Sequence, residues 1–240
     1  VLLLDGGDTW QGSYTSLKTN GQDMVDAMAS LKPDAMVGHW EFTLGTDRVE
    51  EIIDSMDYPF LGGNVFDNEW DEPVFESTAF FEKGGIKVAV IGQHFPYTPI
   101  ANPRYMVPNW SFGIRPDSIQ KNVNAARDEG AEIVVLLSHN GFDVDQKLAT
   151  VVSGIDVILT GHTHDAVPHA IKVGKTLLLS GDGIKRRFTQ TPRTERKQKK
   201  DILSWLSPDL ISRYIILTKE IMPHLARTSH KHWPVSNDHC

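Results

Sequence analysis

Residues 1–8 read Val1-Leu2-Leu3-Leu4-Asp5-Gly6-Gly7-Asp8. A short apolar run that leads into a polar, glycine-containing loop is typical of a buried strand followed by a tight turn. The same pattern recurs where the strand-like runs 35–37, 132–137 and 157–159, which are largely apolar, lead into the polar loops 38–41, 138–141 and 160–164. This alternation predicts an α/β sheet whose ligands bind beyond the carboxyl ends of its strands.

Helical and hairpin patterns connect these strands. The segments with apolar residues at helical spacing are 22–31, 46–55 and 118–129. The predicted hairpins span 80–93 and 170–179, and each has glycine at its turn. We find no internal repeat, and 240 residues suffice for one sizeable α/β domain.

Composition excludes several classes of protein. No apolar run approaches the roughly 20 residues that a membrane-spanning helix needs. The single cysteine is Cys240, the last residue, so the domain can have neither an internal disulfide nor a cysteine-based metal site or nucleophile. The chain opens without methionine inside a strand-like run, and we therefore expect its N-terminus to be a cut end that has lost any targeting segment.

Residues 181–240 differ from the rest of the chain. The net charge is −7, yet residues 185–240 carry twelve Lys and Arg against five Asp and Glu. A basic stretch of this kind can contact nucleic acid or another anionic surface. We favour the simpler interpretations, a solvated segment or sequence foreign to the fold such as a frame-slip product. The expected domain therefore covers residues 1–180, followed by an atypical basic tail over 181–240.

Five side chains in the strand-end loops are candidate metal ligands: Asp8, His39, His139, His162 and His164. A lone histidine in a loop is more often a hydrogen-bonded surface residue than a ligand. Each of these candidates, however, follows an apolar strand, and a parallel sheet would bring them to one edge. Several histidines with a carboxylate and no cysteine suit Mn, Zn or Fe. Glu41 is a further carboxylate in the second loop.

The loops together resemble the metallophosphoesterase superfamily in its 5'-nucleotidase branch. The motifs that carry this resemblance are Gly7-Asp8, Gly38–Phe42, His139 and Gly161–His164. The resemblance covers residues 1–180 and implies a layered α/β sandwich with central mixed sheets. The family's Asp-x-His element, which lies on a strand upstream of Asp8, is missing, so the resemblance implies a domain that is N-terminally truncated.

One departure narrows the resemblance further. The family reads Gly-Asn-His-Glu where this chain reads Gly38-His39-Trp40-Glu41, so Trp40 stands where the catalytic histidine would be. This substitution, together with residues 5–13 and 102–105, makes the chain similar to the SoxB family of thiosulfohydrolases. The resemblance implies a periplasmic di-manganese hydrolase that releases sulfate from a cysteine S-thiosulfonate on the carrier protein SoxYZ. It implies no nucleic-acid partner.

The resemblance also implies roles for the candidate ligands. Asp8 would bridge two metal ions, and its two oxygens suit that position. His39, His139 and His162 would complete the second metal's ligands. His164 would bind the first metal together with the missing upstream residues. The metals would activate a water and hold the sulfonate oxygens during in-line attack.

Three further residues are candidates for contact with substrate. Trp40 would offer an aromatic wall to a polarizable sulfur chain, although it could also fill a core gap. Trp10 is open to the same two interpretations. Arg104 would contact the anionic substrate or brace its loop. We interpret His94 and His169 as structural.

Two alternatives stay open. A 5'-nucleotidase or other phosphomonoesterase without the usual acid would release phosphate from nucleotides. The second alternative is an inactive fragment, because two protein ligands hold the first metal poorly. Such a fragment would bind well under two Mn ions per chain.

Overall fold

The computed structural model describes residues 2–165, 167 and 169–180, and the backbone of 214–217. The predicted basic tail, apart from that backbone segment, lies outside the described residues. The strands are β1 (Leu2–Asp5), β2 (Ala35–Met36), β3 (Val65–Asp67), β4 (Thr78–Lys83), β5 (Ile86–Gln93), β6 (Trp110–Phe112), β7 (Ile133–Ser138), β8 (Val157–Thr160), β9 (Ile171–Val173), β10 (Thr176–Ser180) and β11 (Tyr214–Leu217).

Helices follow most of the strands. They are α1 (Tyr14–Thr19), α2 (Gln22–Leu31), α3 (Thr46–Ser55), α4 (Thr98–Ala101), α5 (Pro116–Asp128) and α6 (Phe142–Val151), with 3-10 turns at Trp40–Leu44 and Arg104–Met106. The predicted bounds of α2 and α3 are confirmed. α5 begins two residues before the predicted start, because Pro116 at its first position has a backbone angle already suited to a helix. Among the described residues, no helix combines the length and apolar character needed to cross a bilayer.

Two sheets organise the domain. The larger sheet has the order β4-β5-β7-β8-β10-β9, in which the central pairs are parallel and the edge strands β4 and β9 are antiparallel. The smaller sheet has the order β11-β1-β2, with β1 and β2 parallel. β3 and β6 form a separate antiparallel pair. The predicted layered α/β arrangement with mixed sheets is confirmed.

Apolar side chains fill both faces of the larger sheet. One face packs on the smaller sheet, through Leu2 and Leu4 of β1 against Val135 and Leu137 of β7. The other face packs on α5 and α6. β7 is therefore buried throughout, which explains why its sequence is a continuous apolar run instead of an alternating one. The polar loops beyond the strands gather where the core between the two sheets ends.

Candidate metal centre

Four of the five predicted ligands meet at the carboxyl ends of the strands. Asp8 follows β1 and His39 follows β2, while His139 and His162 follow β7 and β8. One ligand atom from each of these residues lies within 4.8 Å of the others. The smaller sheet thus contributes two ligands and the larger sheet two, so the group joins the two sheets.

The Asp8 carboxylate lies between two imidazoles. Its Oδ1 is 3.0 Å from His39 Nδ1, and its Oδ2 is 3.2 Å from His139 Nε2. Both nitrogens are buried, and beyond these contacts with Asp8 neither has a hydrogen-bond partner among the described residues. Buried polar atoms normally have such a partner. Buried imidazole nitrogens that converge on one carboxylate and have no other partner fit a site for a divalent metal ion.

A backbone contact fixes the tautomer of His139. Its Nδ1 lies 2.5 Å from the carbonyl oxygen of Gly6, and a carbonyl can only accept a hydrogen bond. Nδ1 therefore carries the proton in the neutral ring, and Nε2 presents its lone pair to the site. Metal-binding histidines are commonly held in this way by a partner on the other ring nitrogen.

The electrostatics of the group centre on Asp8. Burial alone would raise the pKa of Asp8, but the imidazoles of His139 and His39 outweigh it and hold the pKa far below the usual range of a carboxyl. Burial would likewise lower the pKa of His139, but the Asp8 carboxylate raises it. Burial and the neighbouring imidazoles of His139 and His39 lower the pKa of His162 to about 4. Asp8 is therefore ionised and His162 neutral at neutral pH, as metal ligands must be.

The ligand loops have unusual backbone angles. The φ angles of Asp8, His162 and His164 are 65°, 79° and 53°, in the left-handed region that residues with a side chain seldom adopt. Gly7 has a φ of 88°, and a Cβ there would lie 2.9 Å from the carbonyl oxygen of Val37. Strain of this kind persists where the surrounding structure enforces it, and it is common at functional sites.

Phe95 is a site residue that the motif analysis missed. Its ring centroid lies 4.1 Å from that of His39 and 4.1 Å from that of His162, and it stacks on His162 with 29° between the ring planes. These contacts restrict the orientation of both imidazoles and cover one side of them with an apolar ring. Phe95 follows β5, so the strand-then-loop pattern that pointed to the other loops also points to this one.

The remaining predicted ligand, His164, and two further histidines are not members of the four-residue group. His164 is exposed and is not one of its members. His94 is buried beneath the second ligand loop, where its Nδ1 accepts a hydrogen bond of 2.7 Å from the N–H of Gly38. Burial lowers the pKa of His94 to about 3, so it is neutral, in keeping with a structural role. His169 is exposed.

The three candidates for substrate contact have different surroundings. Trp40 is 49% exposed, and its ring lies edge-on to His39 with 6.2 Å between centroids. Arg104 begins an exposed turn that packs beside the turn carrying Trp40. Trp10 is fully buried and stacks on Phe60 in an aromatic cluster. The interpretation of Trp10 as a residue that contacts substrate is therefore wrong, because core packing leaves it no free surface.

The chain is similar to metal-dependent hydrolases. No protein-family model matches it. It is 31% identical over 171 residues to a snake venom 5'-nucleotidase of Crotalus adamanteus, an alignment that covers 68% of the chain and 29% of that protein. It is 30% identical over 187 residues to the uncharacterized metallophosphoesterase YunD of Bacillus subtilis, covering 76% of the chain and 39% of YunD.

Solved structures give a similar result. The sulfate thiohydrolase SoxB of Thermus thermophilus, in complex with glycerol, is 42% identical with a TM-score of 0.73, over 74% of this chain and 33% of that one. A 5'-nucleotidase precursor, also of Thermus thermophilus, is 29% identical with a TM-score of 0.63, over 73% of this chain and 38% of that one. The chain thus spans roughly a third of the length of these relatives.

Proposed function

The chain belongs to the 5'-nucleotidase group of the metallophosphoesterase superfamily, and we propose that it is the metal-binding part of a thiosulfohydrolase of the SoxB kind. The substrate would be a cysteine S-thiosulfonate on the carrier protein SoxYZ, and the product sulfate. We place this activity in the periplasm. The identity of 42% to the SoxB structure supports the proposal, against 29% to 31% for two 5'-nucleotidases.

The position of Trp40 beside the ligand group is the observation that carries the proposal. Its backbone N–H lies 3.2 Å from Asp8 Oδ1, so the residue is fixed next to a ligand, and its side chain is half-exposed beside His39. An indole cannot serve as a general acid near neutral pH. An alkoxide leaving group needs such an acid, whereas a sulfur anion of lower basicity leaves without one. An apolar side chain at this place therefore favours cleavage of a sulfur–sulfur bond.

The reaction would consume one water. The water oxygen adds to the sulfonate sulfur, and the sulfur–sulfur bond breaks. The electron pair leaves with the cysteine-side sulfur as a persulfide anion, and sulfate and protons are released. No general acid is required for this leaving group, which is consistent with Trp40.

The protein's own residues would bind and orient the metal and the substrate. Asp8, His39, His139 and His162 would hold one divalent ion, which supplies Lewis-acid activation of water and of substrate oxygens when bound. We propose Mn²⁺, while Zn²⁺ and Fe²⁺ accept the same donor set. In the two-metal arrangement, Asp8 would bridge the ions.

His164 and Arg104 would act at the edge of this group. His164 would bind a second metal ion. Its imidazole is exposed on the loop after β8 and would be accessible to that ion. Arg104, on the exposed turn beside Trp40, would meet the sulfonate.

A nucleotidase activity is the second candidate. Relatives of this chain include 5'-nucleotidases from snake venom and from mammals, at 26% to 32% identity. In that case the site would hydrolyse a phosphomonoester without a general acid from residue 40.

A paired turnover assay with Mn²⁺ separates the candidates. One arm measures sulfate from a cysteine S-thiosulfonate peptide, and the other measures phosphate from a nucleotide monophosphate. We expect sulfate without phosphate, and no turnover from His139→Ala. Phosphate without sulfate would establish the nucleotidase instead. If neither product forms although the metal is bound, the chain is an inactive fragment.

A further inference from the structure

Glu41 makes an unusual set of contacts. Its side chain is fully buried, and its carboxylate accepts hydrogen bonds from four backbone N–H groups. Oε2 accepts from Asp8 at 3.2 Å and from His39 at 2.6 Å, while Oε1 accepts from Thr9 at 2.5 Å and from Trp10 at 3.2 Å. Glu41 is not among the four residues of the ligand group. The Glu41 carboxylate, next to the metal site, thus accepts hydrogen bonds from the backbone.

The four N–H groups belong to two different ligand loops. The loop after β1 carries Asp8, and the loop after β2 carries His39. The β1–β2 ladder pairs Leu4 with Ala35 and Asp5 with Met36, and it ends with the bond from Val37 N to Asp5 O. The sheet therefore stops before either ligand. Beyond that point the Glu41 carboxylate takes over the role of the ladder and connects the two loops.

The chemistry of these bonds requires a carboxylate. Hydrogen bonds to an ionised acceptor are about twice as strong as neutral ones. An ionised carboxylate has only acceptor sites, so it can receive all four N–H groups. A glutamine of the same shape would place an amide NH₂ against backbone N–H donors and leave some of them unsatisfied, which is costly in a buried position.

From these contacts we infer that Glu41 is a positioning residue that fixes the Asp8 and His39 loops relative to each other before metal binds. This role of Glu41 concerns the same metal site and rests on the proposed function. Asp8 needs such support, because its left-handed backbone angle is unfavourable on its own. A fixed distance between the two ligands lowers the cost of ordering them when the metal arrives.

The first test uses metal-free protein. Hydrogen–deuterium exchange of the wild type and of Glu41→Gln is compared over residues 5–12 and 36–44. We expect slow exchange at Thr9 and His39 in the wild type and fast exchange in the variant. Asp156→Asn is the matched control, since Asp156 also accepts a backbone N–H, from Val134 at 2.8 Å, at the other end of the strands. Unchanged exchange in Glu41→Gln would overturn the inference.

The second test measures metal binding by titration with Mn²⁺, and by the visible spectrum of bound Co²⁺, which reports ligand geometry. We expect Glu41→Gln to weaken Mn²⁺ binding by about 10-fold to 100-fold, the usual range when a residue that orients ligands is lost, and to change the Co²⁺ spectrum. Asp156→Asn should leave both unchanged. Binding within twofold of the wild type, with an unchanged spectrum, would mean that Glu41 only stabilises the fold.

The role of Glu41 can still be tested if Glu41→Gln does not fold or if the wild type binds no metal. If Glu41→Gln does not fold, Glu41→Asp replaces it in both tests, because it keeps the charge but shortens the reach to the two loops. A wild type that binds neither ion would refute the proposed metal-dependent function. The exchange experiment would still decide the role of Glu41.

Discussion

His39 and Trp40 are adjacent in the sequence but point to different surroundings. His39 is 5% exposed, with its Nδ1 next to Asp8, whereas Trp40 is half-exposed. The 3-10 turn that begins at Trp40 separates them, because it directs consecutive side chains away from each other. In the proposed function, His39 would therefore bind the metal, and Trp40 would form an apolar wall where a substrate would enter.

Trp40→His should change the substrate preference of the site. An imidazole at this position could donate a proton to an alkoxide leaving group, and general acids typically contribute 10²-fold or more. We expect phosphate release from a nucleotide monophosphate to rise at least about 10-fold, with sulfate release unchanged or lower. Turnover of both substrates with Mn²⁺ measures this.

Trp70→His is the control for that substitution. Trp70 is 70% exposed on the segment between β3 and β4, and it is not part of the ligand group. Its replacement should change neither rate. A Trp40→His variant whose phosphate release stays at the wild-type level would show that residue 40 does not control leaving-group chemistry.

At the scale of elements, α6 supports the loop that carries His139. Asp145, in the first turn of α6, is fully buried and accepts hydrogen bonds from Ser138 Oγ at 2.8 Å and from Asn140 Nδ2 at 3.1 Å. Burial raises the pKa of Asp145 to about 6, outweighing hydrogen bonds from Thr160, Ser138 and Asn140. The carboxylate thus organises the loop at some cost in stability when it is ionised.

Asp145 should make the stability of the metal-free protein depend on pH. Its folded pKa is raised above the unfolded value of about 3.9, so its favourable contribution is complete below pH 4 and is lost as pH rises through 6. Asp145→Asn keeps an acceptor for Ser138 and Asn140 and cannot ionise. We expect its free energy of unfolding, relative to the wild type, to increase by about 2 kcal/mol between pH 4 and pH 7.

Urea denaturation of the metal-free protein at several pH values measures this difference. Asp143→Asn is the matched control, because Asp143 lies in the same helical turn but is exposed. Its difference from the wild type should stay nearly constant. A flat difference for Asp145→Asn as well would mean that Asp145 keeps an ordinary pKa in the folded protein.

At the scale of the whole molecule, the metal group connects the two sheets. Asp8 and His39 come from the smaller sheet, and His139 and His162 come from the larger one. Hydrogen bonds between the described residues already cross at this end, from His139 Nδ1 to the carbonyl of Gly6, from Phe95 N to the carbonyl of Gly38 and from Gly38 N to His94 Nδ1. A bound metal ion would add a direct bridge between the sheets and oppose their separation.

Metal should therefore stabilise the entire domain. At a free Mn²⁺ concentration 100 times the dissociation constant, we expect the free energy of unfolding to rise by about 2.7 kcal/mol, and a chelator should reverse the gain. Thermal and urea denaturation with and without Mn²⁺ measure the effect. His139→Ala should abolish the response, while His169→Ala, at an exposed position outside the group, should keep it. An equal response in both variants would place the metal elsewhere.

Most of the elements, and the loops that carry the site, could be predicted from local sequence patterns. Continuous apolar runs predicted the buried strands, and helical spacing predicted α2 and α3 at their observed bounds. α6 was beyond this reasoning, because Asp145 occupies its buried face and interrupts the apolar pattern. β3 and β6 were too short to stand out, at three residues each.

Tertiary structure alone decided which of the marked residues act together. Trp10 and Trp40 are both tryptophans in ligand loops, yet one is buried in the core and the other faces solvent. Glu41 had the chemistry of a ligand, but the convergence of two loops on its carboxylate makes it a connection between backbones. Local pattern determines whether a segment forms a strand or a helix, because backbone preference and burial act over a few residues. Which atoms meet depends on segments far apart in the chain, such as Gly6 and His139, and only their packing brings them together.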